Sequence, residues 1–268
     1  MDLGVRNRGF LLIGGTSGIG LATAHVLAND GARLFLVGRS ETKAQEAAAK
    51  LKAAHNTEAA ALSADISRGQ VEAERVVAEA HKALGGLDGI AITTGTSGVG
   101  RQELAVSTDE SWQDAFADVL LATAGLLRAA LPILVSQGRG SIVTTAAYSI
   151  RDPSGHRSAY TALKGAVAVL TKDIAKSYGP HGVRANCVCP GAIKTEESVE
   201  RIRVAQKTAG DTTGRSYEDL LAQEWKLQPA LERPGTPDEI GDVYAFLLSQ
   251  RAAYLTGAVI SVDGGTNF

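Results

Sequence analysis

Short apolar runs alternate with longer stretches of helical periodicity along the whole chain. The runs at 10–13, 33–37, 59–64, 89–92, 141–145, 183–188 and 258–262 are mostly apolar, not apolar at every second position. Strands apolar on both faces are covered on both faces, which is the habit of parallel sheets. Helical patterns fill 21–27, 41–55, 68–84, 109–137 and 158–178, and a last one runs to about Gln250. Asp30-Gly31, Gly85-Gly86 and Gly179-Pro180 supply stops. Thr236-Pro237-Asp238-Glu239 reads as a capping box with proline at the first helical position. Pro132 is expected to bend the 109–137 helix near its end. This alternation predicts one α/β domain over 1–268, a parallel sheet with helices on both faces. The stretch at about 196–233 breaks the rhythm, being long and largely polar. In a compact domain such an insertion reads as a lid, with Tyr217, Leu220, Leu221 and Trp225 as its apolar surface.

The turn between the first strand and the first helix carries the most specific chemistry. Gly14, Gly15, Thr16, Ser17, Gly18, Ile19 and Gly20 follow an apolar strand and open a helix. Bare backbone N–H groups there, with the positive end of the helix dipole, suit a diphosphate. The three glycines serve a tight turn, a close backbone approach and close helix–strand packing. Their spacing is G-x-x-x-G-x-G, not the G-x-G-x-x-G of the common dinucleotide fingerprint.

Composition narrows the class of partner. With 44% hydrophobic and 21% charged residues and a net charge of −2, there is no basic field for nucleic acid and no cationic face for membranes. The N-terminus lacks a signal-peptide pattern and no apolar run reaches ~18 residues, so a cytoplasmic protein is expected. Five scattered histidines offer no metal-ligand spacing. Cys187 and Cys189, two apart in an apolar run, lie on one strand face as buried free thiols.

Four motifs together resemble the short-chain dehydrogenase/reductase family over about residues 9–265. They are Gly14-x-x-x-Gly18-Ile19-Gly20, Tyr160-Thr161-Ala162-Leu163-Lys164, Pro190-Gly191-Ala192-Ile193-Lys194-Thr195, and an ending through Tyr254-Leu255-Thr256-Gly257 and Val262-Asp263-Gly264-Gly265. The resemblance implies a single-domain Rossmann-type, doubly wound parallel sheet of about seven strands that binds NAD(H) or NADP(H). It implies cofactor contacts from Gly14, Thr16, Ser17, Gly18, Ile19, Gly20, Arg39, Ser40, Asp65, Ile66, Thr94, Gly95, Pro190, Gly191, Ile193 and Thr195, and from Tyr160 and Lys164. It also implies a homo-oligomer, tetramer or dimer, paired through 252–265 and 120–134.

Tyr160 and Lys164 are four apart and share a helix face. A phenol titrates near ~10, and a neighbouring ammonium favours its phenolate. Tyr160 is the expected proton donor or acceptor at a substrate oxygen, with Lys164 assisting and bonding the ribose. At the end of the second strand, where NAD-specific relatives carry an acid, stand Gly38, Arg39 and Ser40. A guanidinium grips a 2′-phosphate, so NADP(H) is expected over NAD(H).

Two family positions depart from the pattern. The serine thirteen residues before the tyrosine is Ala147, and the asparagine seven after Trp112 is Val119. Ser149 is the candidate replacement, with Thr145 behind it. The expected activity is hydride transfer between nicotinamide and a small carbonyl or alcohol. The alternatives are a nucleotide-binding relative with feeble turnover, and a reductase of a conjugated C=C bond.

Overall fold

The computed structural model describes residues 2–94, 102–153, 155–208, 214–223 and 229–266. Its strands are β1 Gly9–Ile13, β2 Arg33–Gly38, β3 Ala59–Ser63, β4 Gly89–Ile92, β5 Gly140–Thr145, β6 Val183–Pro190 and β7 Val259–Val262. Among the described residues they form one seven-stranded sheet in the order β3-β2-β1-β4-β5-β6-β7, and every neighbouring pair is parallel. The strand order reverses between β1 and β4. Crossovers from that point leave to opposite faces, and a crevice opens outside the strands' carboxyl ends.

The α-helices among the described residues are α1 Gly18–Asn29, α2 Glu41–His55, α3 Gln70–Leu84, α4 Asp109–Ala115, α5 Ala122–Ser136, α6 Ser158–Tyr178, α7 Glu196–Thr208, α8 Tyr217–Gln223 and α9 Pro237–Leu248. Successive strand residues point to opposite faces, so β1 feeds both halves of the core. Leu11 and Ile13 pack with Val76, Val77, Leu126, Leu127 and Ile174 from α3, α5 and α6. Phe10 and Leu12 pack with Ala24, Leu27, Leu51, Ile240 and Tyr244 from α1, α2 and α9. These side chains are removed from water almost completely, at roughly 25 cal/mol per Å² of apolar surface.

Two expectations change in the structure. Helix α3 begins at Gln70, after a separate 3₁₀ turn at Ile66–Arg68 capped by Asp65. The expected helix at 109–137 is α4, a π-helical turn at Phe116–Leu121, and α5. Pro132 sits inside α5, which continues to Ser136; the irregularity lies a dozen residues earlier, at the π turn. By length and composition Asp109–Ser136 is apolar enough to cross a membrane, yet half of its apolar window is buried inside the fold. That is the signature of a helix packed under a sheet. The Thr236 capping box forms as expected, with Glu239 N–H donating to Thr236 Oγ1 and Thr236 N–H to the Glu239 carboxylate.

One carboxylate fastens the amino edge of the sheet. Asp88, just before β4, accepts the Gly9 N–H at 2.9 Å and the Arg139 Nε–H at 2.8 Å, with Arg8 at 3.7 Å. Replacing Asp88 by alanine strands the buried Gly9 amide and unpairs two guanidiniums. Thermal or urea unfolding of Asp88→Ala should show a loss of about 2 kcal/mol; wild-type stability would show that the contact is incidental.

Candidate active site

The crevice predicted by the strand order is a cleft of about 1040 Å³ along the carboxyl edge. Its floor starts at the glycine turn. Gly14 has φ +79° and donates its N–H to the Val37 carbonyl at 2.8 Å, which folds the turn back against β2. A side chain at Gly20 would collide with the Gly14 carbonyl and come within 2.6 Å of Thr93 Oγ1. Only glycine lets α1 close on the turn. Ser17, at the N-cap of α1, makes no side-chain capping bond, and the helix has no acidic residue in its first turn. The helix therefore presents a positive end that no side chain of its own neutralises, facing the cleft.

The next wall comes from β2 and β3. Gly38 lies so close to Thr16 that a Cβ would meet Thr16 Cγ2 at 2.8 Å. Beyond it Arg39, Ser40 and Lys43 line the cleft, with Ser40 Oγ capping α2 by accepting the Lys43 N–H. Asp65 accepts from the Ser67 hydroxyl at 2.7 Å and the Ser67 N–H at 3.1 Å. The hydroxyl bond, more than any other influence, holds the Asp65 carboxyl below its ordinary range. A smaller cavity of about 320 Å³ adjoins this end, lined by Arg39, Asp65, Arg68 and Arg75 among others.

At the other end α6 brings in Tyr160 and Lys164, both buried. The ammonium lies 5.8 Å from the Tyr160 ring centre. It donates to the Thr145 carbonyl at 2.9 Å and the Thr94 carbonyl at 3.3 Å, tying the ends of β5 and β4 to the helix. Burial lowers the Lys164 pKa to about 8, partly opposed by Cys187 and Asp118. Behind it, the Cys189 thiol bonded to Cys187 is the main cause that lowers Cys187 to about 7, and Cys189 itself is pushed up. Both thiols are fully buried.

The described residues expected to hold the nucleotide all line this one cleft: Gly14, Thr16, Ser17, Gly18, Ile19, Gly20, Arg39, Ser40, Asp65, Ile66, Thr94, Tyr160, Lys164, Pro190, Gly191, Ile193 and Thr195. Gly95 and Trp225 lie outside the described residues. From the insertion at 196–233, Glu196, Glu197, Ser198, Glu200, Arg201 and Tyr217 reach the outer wall. Thr195 Oγ1 accepts the Ser198 N–H and caps α7, while the Tyr217 hydroxyl donates to the Ile193 carbonyl at 3.1 Å.

Ser149 is a correction. It sits on a 3₁₀ turn, Tyr148–Ile150, with no exposed surface, and Thr161 Oγ1 donates to its oxygen at 3.1 Å. The turn carries Tyr148 to the cleft wall and Ser149 behind it. Ala147 is on the wall, as its position implied, and Val119 is buried against Tyr160, Leu163 and Ala147. Sequence reasoning overlooked Lys43, Asp118, Tyr148 and Arg157, which line the cleft. Lys43 and Arg157 could have been found by helical spacing, three residues from Ser40 and three from Tyr160. Asp118 could not, because the π turn shifts the helix register there.

With this geometry in hand, the relatives are informative. A family model described as enoyl-(acyl carrier protein) reductase matches residues 14–267. An uncharacterised oxidoreductase of Escherichia coli, YghA, is 34% identical over 263 residues, covering 97% of this chain and 83% of its own. The short-chain dehydrogenase/reductase aba4 of Botryotinia fuckeliana is 33% identical, covering 97% and 96%. Among solved structures, L-sorbose reductase from Gluconobacter frateurii, complexed with NADPH and L-sorbose, superposes with a TM-score of 0.90 at 28% identity, covering 99% and 98%. The chain belongs to the short-chain dehydrogenase/reductase family, and it is an oxidoreductase of that type.

Proposed function

We propose that the protein is an NADP(H)-dependent oxidoreductase that interconverts a small carbonyl compound and its alcohol. The observation that carries this is the pairing of Tyr160 and Lys164, buried one helical turn apart, at the far end of a cleft that begins at the glycine turn. The cleft fits a dinucleotide. An uncapped helix end faces the diphosphate position, and a side chain at Gly20 would close the cradle.

A reduced nicotinamide held in this cleft would supply hydride to the carbonyl carbon. The chain's own residues handle the proton and the orientation. Tyr160 gives its hydroxyl proton to the substrate oxygen as negative charge develops on it, and takes one back in the reverse direction. Lys164 would stabilise the tyrosinate left behind and would hold the ribose. Thr94 and Thr145 carbonyls fix its ammonium, so that the charge costs no reorganisation during the reaction. Ala147 offers no hydrogen bond, which leaves Tyr160 as the donor at that oxygen. The same apolar wall suits a conjugated C=C substrate, and the matching family model is described as an enoyl reductase; this is the second reading. Following NADPH absorbance against ketones, quinones and enones separates the two.

Tyr160→Phe should abolish turnover on whichever substrate is found and leave NADPH binding within about twofold of wild type. Lys164→Ala should impair both, because the ammonium serves both. Wild-type turnover in Tyr160→Phe would overturn the mechanism.

Arg39, flanked by Ser40 and Lys43 at the start of α2, is the proposed 2′-phosphate site. The NADPH complex of L-sorbose reductase supports the same cofactor here. Arg39→Ala should weaken NADPH about tenfold, near ~1.4 kcal/mol, with NADH unchanged, by fluorescence titration. Equal loss for both nucleotides would overturn the assignment.

The assembly reading is supported by exposed apolar surface. Edge strand β7 is half-exposed throughout, Tyr254 and Leu255 stand out beside it, and Phe116, Leu121 and Val169 face outward from the helices. A homo-oligomer would cover both patches. Light scattering at micromolar concentration should give a dimer or tetramer mass; a monomer mass would refute it.

A further inference from the structure

The π turn at Phe116–Leu121 has a chemical consequence. A π turn spends one extra residue per turn, so the side chains after it are rotated relative to an uninterrupted α-helix. Val119, where a polar residue was expected, is driven into an apolar cluster with Ala115, Ala147, Tyr160 and Leu163. The Val119 carbonyl is taken by the Thr123 hydroxyl at 2.8 Å, which stabilises the distorted turn. Its neighbour Asp118, half-buried, lines the cleft with Tyr160 and Lys164. A carboxylate thus lines the cleft from within the π turn, beside the position where the count from Trp112 finds valine.

We infer that Asp118 is a positioning residue for the Tyr160–Lys164 couple, its carboxylate keeping Lys164 cationic inside the cleft. This rests on the oxidoreductase reading given above. An ammonium has three protons to donate, and two of those on Lys164 go to the Thr145 and Thr94 carbonyls. Neutral carbonyls offset only part of the cost of burying a full charge. Among the described residues, the titratable groups around the ammonium include Cys187 and Cys189 behind it on β6, Tyr160 on its own helix, and Asp118 from the π turn; Tyr148 and Arg157 line the same cleft. Asp118 and both thiols act in the direction that preserves the charge on Lys164. Of these acids Asp118 alone lines the cleft, within reach of protons from solvent.

The sign follows from the charge. Removing the carboxylate lets Lys164 lose its proton at lower pH. Carbonyl reduction needs the ammonium, so its rate falls as pH rises through the Lys164 pKa, and the fall comes earlier in the variant. The test uses ¹³C-lysine NMR of the nucleotide-free protein, with Lys164→Met assigning the resonance, alongside the pH profile of kcat. In Asp118→Asn, which preserves shape, the Lys164 resonance should titrate lower than in wild type by about half a pH unit or more. The alkaline limb of kcat should move by the same amount, and Asp118→Glu should restore both. A Lys164 titration unchanged in Asp118→Asn would overturn the inference. If Tyr160→Phe kept full turnover, the oxidoreductase mechanism would fall, while the NMR result would still decide the Asp118–Lys164 coupling.

Discussion

Holding an ammonium out of water is costly, by several kcal/mol even after local relaxation. Lys164 is 2% exposed and charged groups of that kind are rarely so enclosed. The fold meets the cost at one place, where β4 and β5 end side by side and two carbonyls, on Thr145 at the end of β5 and on Thr94 two residues past β4, converge on one Nζ. That convergence needs parallel strands, since only then do neighbouring carboxyl ends lie together. It also needs α6 to cross the sheet with the correct face inward, which the apolar contacts of Leu163, Val167 and Ile174 enforce. Tyr160, one turn earlier, is then placed without further machinery. The neutral Tyr244 hydroxyl, whose proton burial makes hard to lose, bonds Thr145 Oγ1 from α9 and braces the same strand end.

The opposite end of the cleft follows a different logic. At the glycine turn side chains are excluded, and the backbone amides that open α1 are left without a side-chain cap. Gly14 and Gly20 are glycine because the helix closes on the turn's own carbonyl. The N-cap serine that makes no capping bond is the counterpart of this exclusion. Where no ligand is expected, at α9, the same fold spends a full capping box on the orphan amides. The contrast between α1 and α9 within one chain distinguishes a binding terminus from a structural one.

Much of this was legible from residues alone. Runs that are mostly apolar, such as 10–13 and 33–37, read as buried parallel strands when they alternate with helical stretches, and the glycine turn and the Tyr160–Lys164 spacing are local patterns that survive folding. The reading lost ground where local register stopped being regular. Ser149 sits two residues from Ala147, close enough in sequence to seem interchangeable, but the 3₁₀ turn after β5 rotates it into the protein interior and presents Tyr148 instead. Asp118 went unmarked because the family position seven residues after Trp112 is its neighbour Val119, and the segment folds as a π turn and not as the regular helix expected there. Neither irregularity has a sequence signature as plain as a proline or a glycine. Pro132, which does, produced no break, because α5 is held on both sides of it by packing against α3 and the sheet.

The two polar losses and the carboxylate belong together electrostatically. A hydroxyl at Ala147 would stabilise developing negative charge through one neutral hydrogen bond. Without it, stabilisation at the substrate oxygen would in the proposed mechanism fall to Tyr160, and through Tyr160 to the charge on Lys164, an interaction that depends on distance and local dielectric instead of on direct contact with substrate. Ala147, Val119, Leu163 and Tyr160 form an apolar cluster at that end of the cleft. An apolar wall lowers the effective dielectric and strengthens the pull of the ammonium on the tyrosine oxygen. It also raises the cost of keeping the ammonium charged, so that under the inference above a carboxylate lining the same cleft would matter more than in a wetter site. The substitutions that weaken direct contact with the substrate oxygen are those that make charge at Lys164 more effective.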